Sequence, residues 1–383
     1  MKFTKIHLQN WKNFQEVEVD LPERAFLIGP NASGKSNFLD VFRFLRDIST
    51  PGGIQQAVQD RGGISKLRCL HARNPSDIAI RVDLADDQNH WSYSVVFSQQ
   101  GKLPRQGAAL VKKEVVIHNS EVVLNRPDKD DKDDERLLEQ TALEQISRNR
   151  SFRPIVDHFQ QVSYLHLVPQ MIRGGKGMSS ESNFPDVYGG RFLEIVASTT
   201  EAKRKRYLKK IEEVLKIAVP QLTALKLTTD KGGVPHLEAT YEHWRAQGAS
   251  QDESQFSDGT LRLIGLLWML QDGAGLVLIE EPELSLHQAI VRQLAPFIHR
   301  AQTRSKTTRQ AFISTHSVDL LSDPGIGAEE ILLFDPTAAG TTITVGGAFQ
   351  DLRDLMAQGL TAAEVALPRT HPADAAQMSL FAL

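Results

Sequence analysis

The feature that most constrains this 383-residue chain is the run Gly-Pro-Asn-Ala-Ser-Gly-Lys-Ser at positions 29–36. Residues 25–28 before it form an apolar run typical of a buried strand, and the apolar residues after it recur at helical spacing. Glycines in a turn between a strand and a helix let backbone N–H groups and the helix N-terminus face phosphate oxygens. The pattern therefore predicts a phosphate loop rather than an ordinary turn rich in glycine and serine.

Two side chains of this loop carry its expected chemistry. We expect Lys35 to reach the β- and γ-phosphates of a nucleoside triphosphate, as a catalytic residue, and the Ser36 hydroxyl to hold Mg²⁺. The residues of the loop predicted to contact the nucleotide are Gly29, Pro30, Asn31, Ala32, Ser33, Gly34, Lys35, Ser36 and Asn37.

A second apolar run, residues 275–279, ends in the carboxylates Glu280 and Glu281. Open parallel sheets bind ligands at the C-terminal ends of their strands. We therefore expect Glu280 to support Mg²⁺ and Glu281 to polarise the attacking water as a catalytic general base. A surface pair of glutamates is the alternative, although the following residues, 282–287, turn the chain tightly toward another helix.

His316 follows a third apolar run, residues 310–314. It lies about one strand–helix–strand unit after the carboxylates, which predicts a place on the neighbouring strand. An imidazole there can hydrogen-bond a phosphoryl oxygen near neutral pH, so His316 is a catalytic candidate. A polar residue that merely ends a strand is the alternative.

The sequence Ser-Asp-Gly-Thr at positions 257–260 precedes an apolar segment, residues 261–270, that predicts a buried helix. Ser257 is expected to cap this helix and to leave N–H groups aimed at an anion. On its own the pattern is more typical of an N-cap that serves no ligand. The three other elements favour the anion-binding interpretation.

In this order, the elements resemble the RecF/SMC/OLD-type ABC ATPases, and most closely the stand-alone AAA family ATPases of bacteria. The resemblance covers nearly the whole chain and includes residues 5–14, Arg-Gly-Gly at 61–63, Glu-Glu-Pro-Glu at 280–283 and Ser-Thr-His-Ser at 314–317. Two positions depart from the broad ABC pattern. Glu280 stands where aspartate is usual, and Asp258 stands where transporters carry a second glycine.

The resemblance implies an α/β fold: an ABC-type ATPase head with a P-loop, a mixed sheet core, an antiparallel β subdomain and an inserted helical subdomain. It implies that ATP drives head-to-tail homodimerisation, with Ser257 and Gly259 completing the partner's nucleotide site, and that hydrolysis reopens the dimer. Lys12 is expected on the adenine side. Gln170 follows the apolar run 162–168 and is the candidate for the glutamine that reaches Mg²⁺ or the attacking water; a surface loop glutamine is the alternative.

We expect four parts along the chain. Residues 1–165 form a first ATPase lobe with the phosphate loop and an antiparallel sheet, for which the alternating pattern within 78–125 is the evidence. Residues 166–256 form an inserted, partly helical subdomain. Residues 257–367 hold the signature, the carboxylates and the histidine, and residues 368–383 form a flexible C-terminal tail.

Composition excludes several classes of protein. A content of 41% hydrophobic and 24% charged residues is that of a soluble globular protein, and a formal charge of −3 gives no overall attraction to nucleic acid. The single cysteine, Cys69, excludes a disulfide within the chain and a cysteine-based metal cluster. No signal peptide is visible and the longest apolar run is too short to span a bilayer, so we expect a cytoplasmic protein without membrane contact.

Two segments suggest partners. The helix predicted over residues 201–219 carries clustered lysines and arginines, which indicates either a solvated face or a contact with DNA phosphates. Gln377, Leu380 and Phe381 near the end of the chain resemble the short peptide by which bacterial repair proteins bind the sliding clamp. The alternative is an apolar terminus that docks on its own domain.

These patterns together predict an ABC-type ATPase that binds and hydrolyses ATP and dimerises on ATP. The resemblance suggests DNA repair or anti-phage defence, with any partner nuclease on a separate chain because the residues after His316 are too few for another domain of about 100 residues. A regulatory ATP-binding module with little turnover is the alternative. A transporter ATPase is disfavoured by the signature and by the large inserted region.

Overall fold

The computed structural model describes residues 1–72, 77–99, 107–173, 188–243, 248–271, 275–304 and 309–370. The strands within these ranges are β1 (Lys2–Trp11), β2 (Phe14–Asp20), β3 (Arg24–Ile28), β4 (Ile78–Ala85), β5 (His90–Gln99), β6 (Ala109–His118), β7 (Glu121–Arg126), β8 (Ser163–Leu165), β9 (Leu222–Thr229), β10 (Pro235–Tyr241), β11 (Ala249–Asp252), β12 (Leu276–Glu280), β13 (Gln310–Ser314), β14 (Ile331–Thr337) and β15 (Gly340–Val345). The helices are α1 (Lys35–Ile48), α2 (Gly53–Gln59), α3 (Ile64–Leu67), α4 (Lys129–Asp133), α5 (Arg153–Gln160), α6 (Pro169–Arg173), α7 (Phe192–Ser198), α8 (Glu201–Ala218), α9 (Asp258–Gln271), α10 (Gln288–Val291), α11 (Leu294–Arg304), α12 (Val318–Leu321), α13 (Gln350–Ala357) and α14 (Ala362–Ala366).

The chain divides into two compact units, and its path crosses between them more than once. The first unit contains Met1–Ser163, Ala274–Leu278 and Ser305–Leu383. The second contains Tyr164–Gly273 and Ile279–Arg304. The boundaries thus fall within β8 and β12. The expected division at residues 165, 256 and 367 stays a prediction.

In the first unit, an antiparallel sheet has the strand order β2-β1-β4-β5-β6-β7. Its strands alternate buried apolar with exposed side chains, which is the pattern of a sheet with one covered face. Strands β4 to β7 confirm the antiparallel sheet predicted from residues 78–125. Helix α1 covers this sheet through aromatic contacts of its residue Phe44. The ring centroid of Phe44 lies 5.1 Å from that of Trp11 in β1 and 5.5 Å from that of Phe97 in β5, on which it stacks.

A second sheet follows the order β15-β14-β3-β13-β12-β8. Its central strand β3 is parallel to both of its neighbours, β13 and β14, and the residues of β3 and β13 are all buried. Helix α1 also packs on this sheet, because Phe42 contacts Phe312 at 5.2 Å on one side and Phe3 of β1 at 5.1 Å on the other. The helix that follows the phosphate loop is therefore fixed between two sheets.

The second unit combines helices with a three-stranded antiparallel sheet of order β11-β10-β9. Its core includes Trp268 of α9, which contacts Tyr207 of α8 at 5.4 Å and Phe192 of α7 at 6.3 Å. Helix α8 confirms the helix predicted over residues 201–219, and α9 confirms the buried helix predicted after the signature. The three-stranded sheet was not predicted.

Among the helices of the described ranges, none combines the length and the apolar character needed to cross a lipid bilayer.

Candidate nucleotide site

The phosphate loop leaves the buried strand β3 and enters α1 through two residues of left-handed backbone. Ala32 has φ 62° and Gly34, the N-cap of α1, has φ 97°. A glycine at the N-cap supplies no side chain to cover the N–H groups of the first helical turn, so these groups face outward as an anion site requires. The Lys35 ammonium lies over the loop and donates to the carbonyls of Gly29 at 2.8 Å and Pro30 at 3.0 Å.

Asn13 holds the loop in this shape. Its amide donates to the Ser33 carbonyl at 3.0 Å and to the Thr341 hydroxyl at 2.7 Å, and its oxygen accepts from the Asn37 amide at 2.8 Å. A Cβ on Gly34 would lie 2.0 Å from Asn13 Nδ2, so an alanine at Gly34 would displace this amide. The sequence places Asn13 beside Lys12 in the opening motif, but no pattern assigned it this role.

Lys12 lies at the turn between β1 and β2 and contacts α1. Its ammonium is 2.7 Å from the Asp40 carboxylate, which Arg61 also binds, at 2.9 Å and 3.0 Å. Burial raises the pKa of Asp40, but the charges of Arg61 and Lys12 outweigh it and hold that pKa well below its usual range. Arg61 belongs to the Arg-Gly-Gly motif. Through this bond the motif holds the Asp40 carboxylate that pairs with Lys12. The adenine-side role of Lys12 stays a prediction.

The parallel register of β3 and β13 sets the position of His316. Ser314 pairs with Leu27, and the Thr315 N–H donates to the Leu27 carbonyl at 3.3 Å. Gly29 lies two residues after Leu27, and His316 lies two residues after Ser314. Half-buried His316 thus follows β13 at the level where β3 enters the phosphate loop.

In the second unit, Glu280 is the last residue of β12, and its carboxylate is contacted by one residue of β8 and one residue that follows β8. The Tyr164 hydroxyl donates to Glu280 Oε2, and His166 Nδ1 lies 3.8 Å from the same oxygen. Glu281 has a left-handed backbone, with φ 43°, and its carbonyl accepts the Leu284 N–H at 3.2 Å. This turn starts the tight segment predicted after the two carboxylates.

The signature in the same unit has the predicted cap. The Thr260 N–H donates to Ser257 Oγ at 3.2 Å, and the two hydroxyls are 2.8 Å apart. Gly259 packs against the segment that follows the carboxylates, since a Cβ on Gly259 would lie 2.3 Å from the Ser285 carbonyl oxygen. The start of α9 is therefore in close contact with the segment that follows Glu281.

Helix α6 approaches the signature with two polar side chains. Arg173 lies 2.6 Å from Asp258 Oδ1, and the Gln170 amide donates to Asp258 Oδ2 at 3.4 Å. The structure thus places Gln170 on a helix beside the signature acid. Its expected contact with Mg²⁺ or with water stays a prediction. Sequence reasoning missed Arg173, because a contact between α6 and α9 leaves no local pattern.

The predicted clamp-binding residues Gln377, Leu380 and Phe381 lie outside the described residues.

Comparison with protein families decides the class of this chain. Residues 24–323 match the family described as "AAA domain, putative AbiEii toxin, Type IV TA system", which is well over half of the chain. The chain belongs to this AAA family. The resemblance inferred from the motifs is thereby confirmed.

The AAA domain of this chain has the fold of an SMC head. It is similar to a crystal structure of the Smc head bound to the C-winged helix domain of ScpA, with a TM-score of 0.52 and 14% identity, over 90% of this chain and 97% of that chain. It is also similar to an Smc head with an extended coiled coil bound to the C-terminal domain of ScpA from Pyrococcus furiosus, with a TM-score of 0.51 and 13% identity, over 92% and 99% of the two chains. The predicted fold class, an ABC-type ATPase head, is confirmed.

A curated relative matches over a short stretch. This chain is 43% identical to endonuclease GajA of Bacillus cereus (strain VD045) over 47 residues, which is 12% of this chain. The chain spans 8% of the length of that relative.

The site residues of this AAA domain fit the ATP and Mg²⁺ that such ATPases use. The loop offers backbone N–H groups and a lysine for phosphates, and the hydroxyl of Ser36 beside it is a hard oxygen ligand of the kind that Mg²⁺ prefers. In the second unit, the carboxylate of Glu280 is a ligand of the same kind. Across the described part of the chain, no cluster of three or more His, Cys, Asp or Glu side chains could hold a metal ion.

Proposed function

We propose that this chain binds ATP with Mg²⁺, forms a head-to-tail homodimer around it and hydrolyses it. The observation that carries the proposal is the geometry of the phosphate loop, with Ala32 and Gly34 in left-handed backbone and Lys35 over the loop. Membership of the AAA family and the ABC-type head fold support it.

Each residue has a proposed role. Lys35 binds the β- and γ-phosphates and Ser36 supports Mg²⁺ together with Glu280. Glu281 accepts the proton of the attacking water, and His316 hydrogen-bonds the γ-phosphate. Ser257 and Gly259, at the N-terminus of α9, complete the site of the partner subunit. The capped start of α9 supports this last role, because its remaining N–H groups are suited to an anion.

The first test is molar mass by light scattering with and without ATP and Mg²⁺. Glu281→Gln should keep nucleotide binding but slow hydrolysis, so this variant should double in mass only when ATP is present. Glu283→Gln, which removes a carboxylate two residues further on, is the matched control and should behave like the wild type. Lys35→Ala should stay at monomer mass throughout.

A mass that does not respond to ATP in any variant would refute ATP-driven dimerisation. Turnover by the wild-type chain then distinguishes an active ATPase from a regulatory module. A full ATP-dependent mass change without measurable phosphate release would favour the module.

The biological setting is proposed as DNA repair or defence against phage. The short match to endonuclease GajA supports the association with a nuclease, which we propose to be a separate partner chain. Phage plating on cells with the wild-type or the Lys35→Ala gene tests the defence role. Equal plating on both would refute the defence role.

DNA is a proposed ligand of the basic face of α8. Its lysines include Lys205, which pairs with Glu201 at 2.6 Å on the exposed surface, and Lys209. Exposed ion pairs are weak and would release Lys205 to a phosphate. Charge reversal at Lys205 and Lys209 should abolish salt-sensitive DNA binding, and unchanged binding would refute the contact.

Binding to the sliding clamp through Gln377, Leu380 and Phe381 is likewise a proposal from the sequence alone. Deletion of residues 377–383 should remove clamp from a pull-down, and a full chain that never retains clamp would refute it.

A further inference from the structure

The carboxylate of Glu280 is contacted on one oxygen by two side chains from a single short segment. The Tyr164 hydroxyl donates to Oε2, and His166 Nδ1 lies 3.8 Å from that oxygen. Tyr164 belongs to β8, and His166 follows the end of this strand. All three residues lie in the second unit.

These contacts matter because this position holds a glutamate. A glutamate has one more methylene and one more rotatable bond than an aspartate, so its carboxylate has more orientations to choose from. The side chain of Glu280 is 11% exposed, so protein atoms surround most of it. A neutral phenol donor restricts the carboxylate without neutralising its charge, which leaves the charge available to a cation.

We propose that Tyr164 is a positioning residue that holds the Glu280 carboxylate in the orientation needed to support Mg²⁺. This inference rests on the proposed function. The phenol fixes Oε2 and thereby sets the direction of Oε1. His166 lies beyond hydrogen-bond length of Oε2, and its ring limits the space into which the carboxylate could rotate. Partners that orient a metal ligand in this way commonly change metal affinity about 10- to 100-fold when they are removed.

The test removes the hydroxyl and keeps the ring. Tyr164→Phe and the matched control Tyr241→Phe, which changes a tyrosine of β10 in the same unit, are titrated with Mg²⁺ at fixed fluorescent ATP analogue. We expect Tyr164→Phe to raise the half-saturating Mg²⁺ concentration about tenfold. Tyr241→Phe should match the wild type, and excess Mg²⁺ should restore the binding plateau of Tyr164→Phe. Electron paramagnetic resonance of Mn²⁺ with ATP gives the same comparison as direct metal binding.

A double-mutant cycle separates positioning from a general effect on folding. The shorter side chain of Glu280→Asp withdraws the carboxylate from Tyr164, so Tyr164→Phe should change the Mg²⁺ requirement less than about twofold in that background. Circular dichroism of each variant checks that the chain is folded. If Tyr164→Phe does not fold, Glu280→Asp alone should raise the Mg²⁺ requirement, and an unchanged requirement would overturn the proposal.

Two failures can be told apart. A wild-type chain that binds no ATP at any Mg²⁺ concentration would overturn the proposed function together with this inference. A wild-type chain that binds ATP with Mg²⁺, and a Tyr164→Phe variant with the same Mg²⁺ requirement, would overturn the positioning role alone. An equal tenfold effect in the wild-type and Glu280→Asp backgrounds would also overturn it, because the hydroxyl would then act independently of the glutamate.

Discussion

Replacing Gly259 by alanine would show why the signature carries a glycine. The added Cβ would lie 2.3 Å from the carbonyl oxygen of Ser285 and 3.3 Å from its carbonyl carbon. The obstructing atoms are backbone, so the start of α9 must move away from this segment by about 1 Å to reach ordinary contact. We expect the alanine to destabilise the chain even when no nucleotide is bound.

The magnitude follows from two opposing contributions. Overpacking of this kind costs about 1–3 kcal/mol, while alanine in place of glycine in a helix contributes up to about 1 kcal/mol of stabilisation. The free energy of unfolding should therefore fall by about 1–2 kcal/mol. Gly232→Ala, in the same unit, is the matched control. The nearest atom to its Cβ would be Asp230 Oδ1 at 3.3 Å, a side-chain atom at a much longer distance than the backbone oxygen at Gly259, so we expect a change within about 0.5 kcal/mol.

Urea unfolding of nucleotide-free protein, followed by circular dichroism, measures both variants. Light scattering with ATP then tests dimerisation, which should weaken in Gly259→Ala together with stability. Equal unfolding free energies for Gly259→Ala and Gly232→Ala would refute the steric reasoning. Lost dimerisation at unchanged stability would also refute the steric reasoning, and the proposed contact of Gly259 with the partner's nucleotide would then be the reason for the glycine.

Three further predictions concern charge. Burial lowers the pKa of His158 from 6.5 to about 4. The unfolded chain therefore binds a proton that the folded chain does not, and the free energy of unfolding should fall by about 3 kcal/mol as the pH falls from 6.5 to about 4. His158→Gln should flatten this part of the pH profile in urea unfolding. Arg126→Met removes the positive charge that lies 2.8 Å from the buried Glu114 carboxylate. The free energy of unfolding, measured with urea at pH 7, should fall by about 3–5 kcal/mol, and an added Glu114→Gln should recover part of this loss. Arg173→Ala exposes the negative charge of Asp258 at the signature, which should weaken ATP-dependent dimerisation about two- to fivefold in light scattering, whereas Arg191→Ala should not.

The elements with strong local signals were predictable. The apolar runs before the phosphate loop, the carboxylates and the histidine are β3, β12 and β13, and the loop enters a helix at Lys35. These segments are buried on all sides, so their composition alone identifies them. The family and the head fold followed from the order of the motifs.

The three-stranded sheet of the second unit was missed for a physical reason. Strand β9, with the sequence Leu-Thr-Ala-Leu-Lys-Leu-Thr-Thr, mixes buried and exposed residues without a regular alternation. A short run of this kind fits a strand or a helix equally well. Its place is decided by pairing with β10, which the local sequence does not reveal.

The supporting residues of the site were not predictable either. Tyr164, Arg173 and Asn13 act through hydrogen bonds to residues that are distant in sequence, and no spacing rule connects them. Their side-chain types are common in proteins, so nothing in composition marks them. Glu280, Glu281 and His316 could be proposed from the sequence because each lies at the end of an apolar strand or within two residues after it.

The bond between Asn13 and Thr341 has a consequence for synthesis of the chain. Asn13 contacts Ser33 and Asn37 at the phosphate loop, yet its third partner, Thr341, is 328 residues away in the sequence. A ribosome that adds about 5–20 residues per second reaches Thr341 roughly 15–60 s after Gly34. Throughout that interval the nascent loop lacks one of the hydrogen-bond partners of Asn13, so we expect the growing chain to acquire full ATP affinity only after Thr341 has been added.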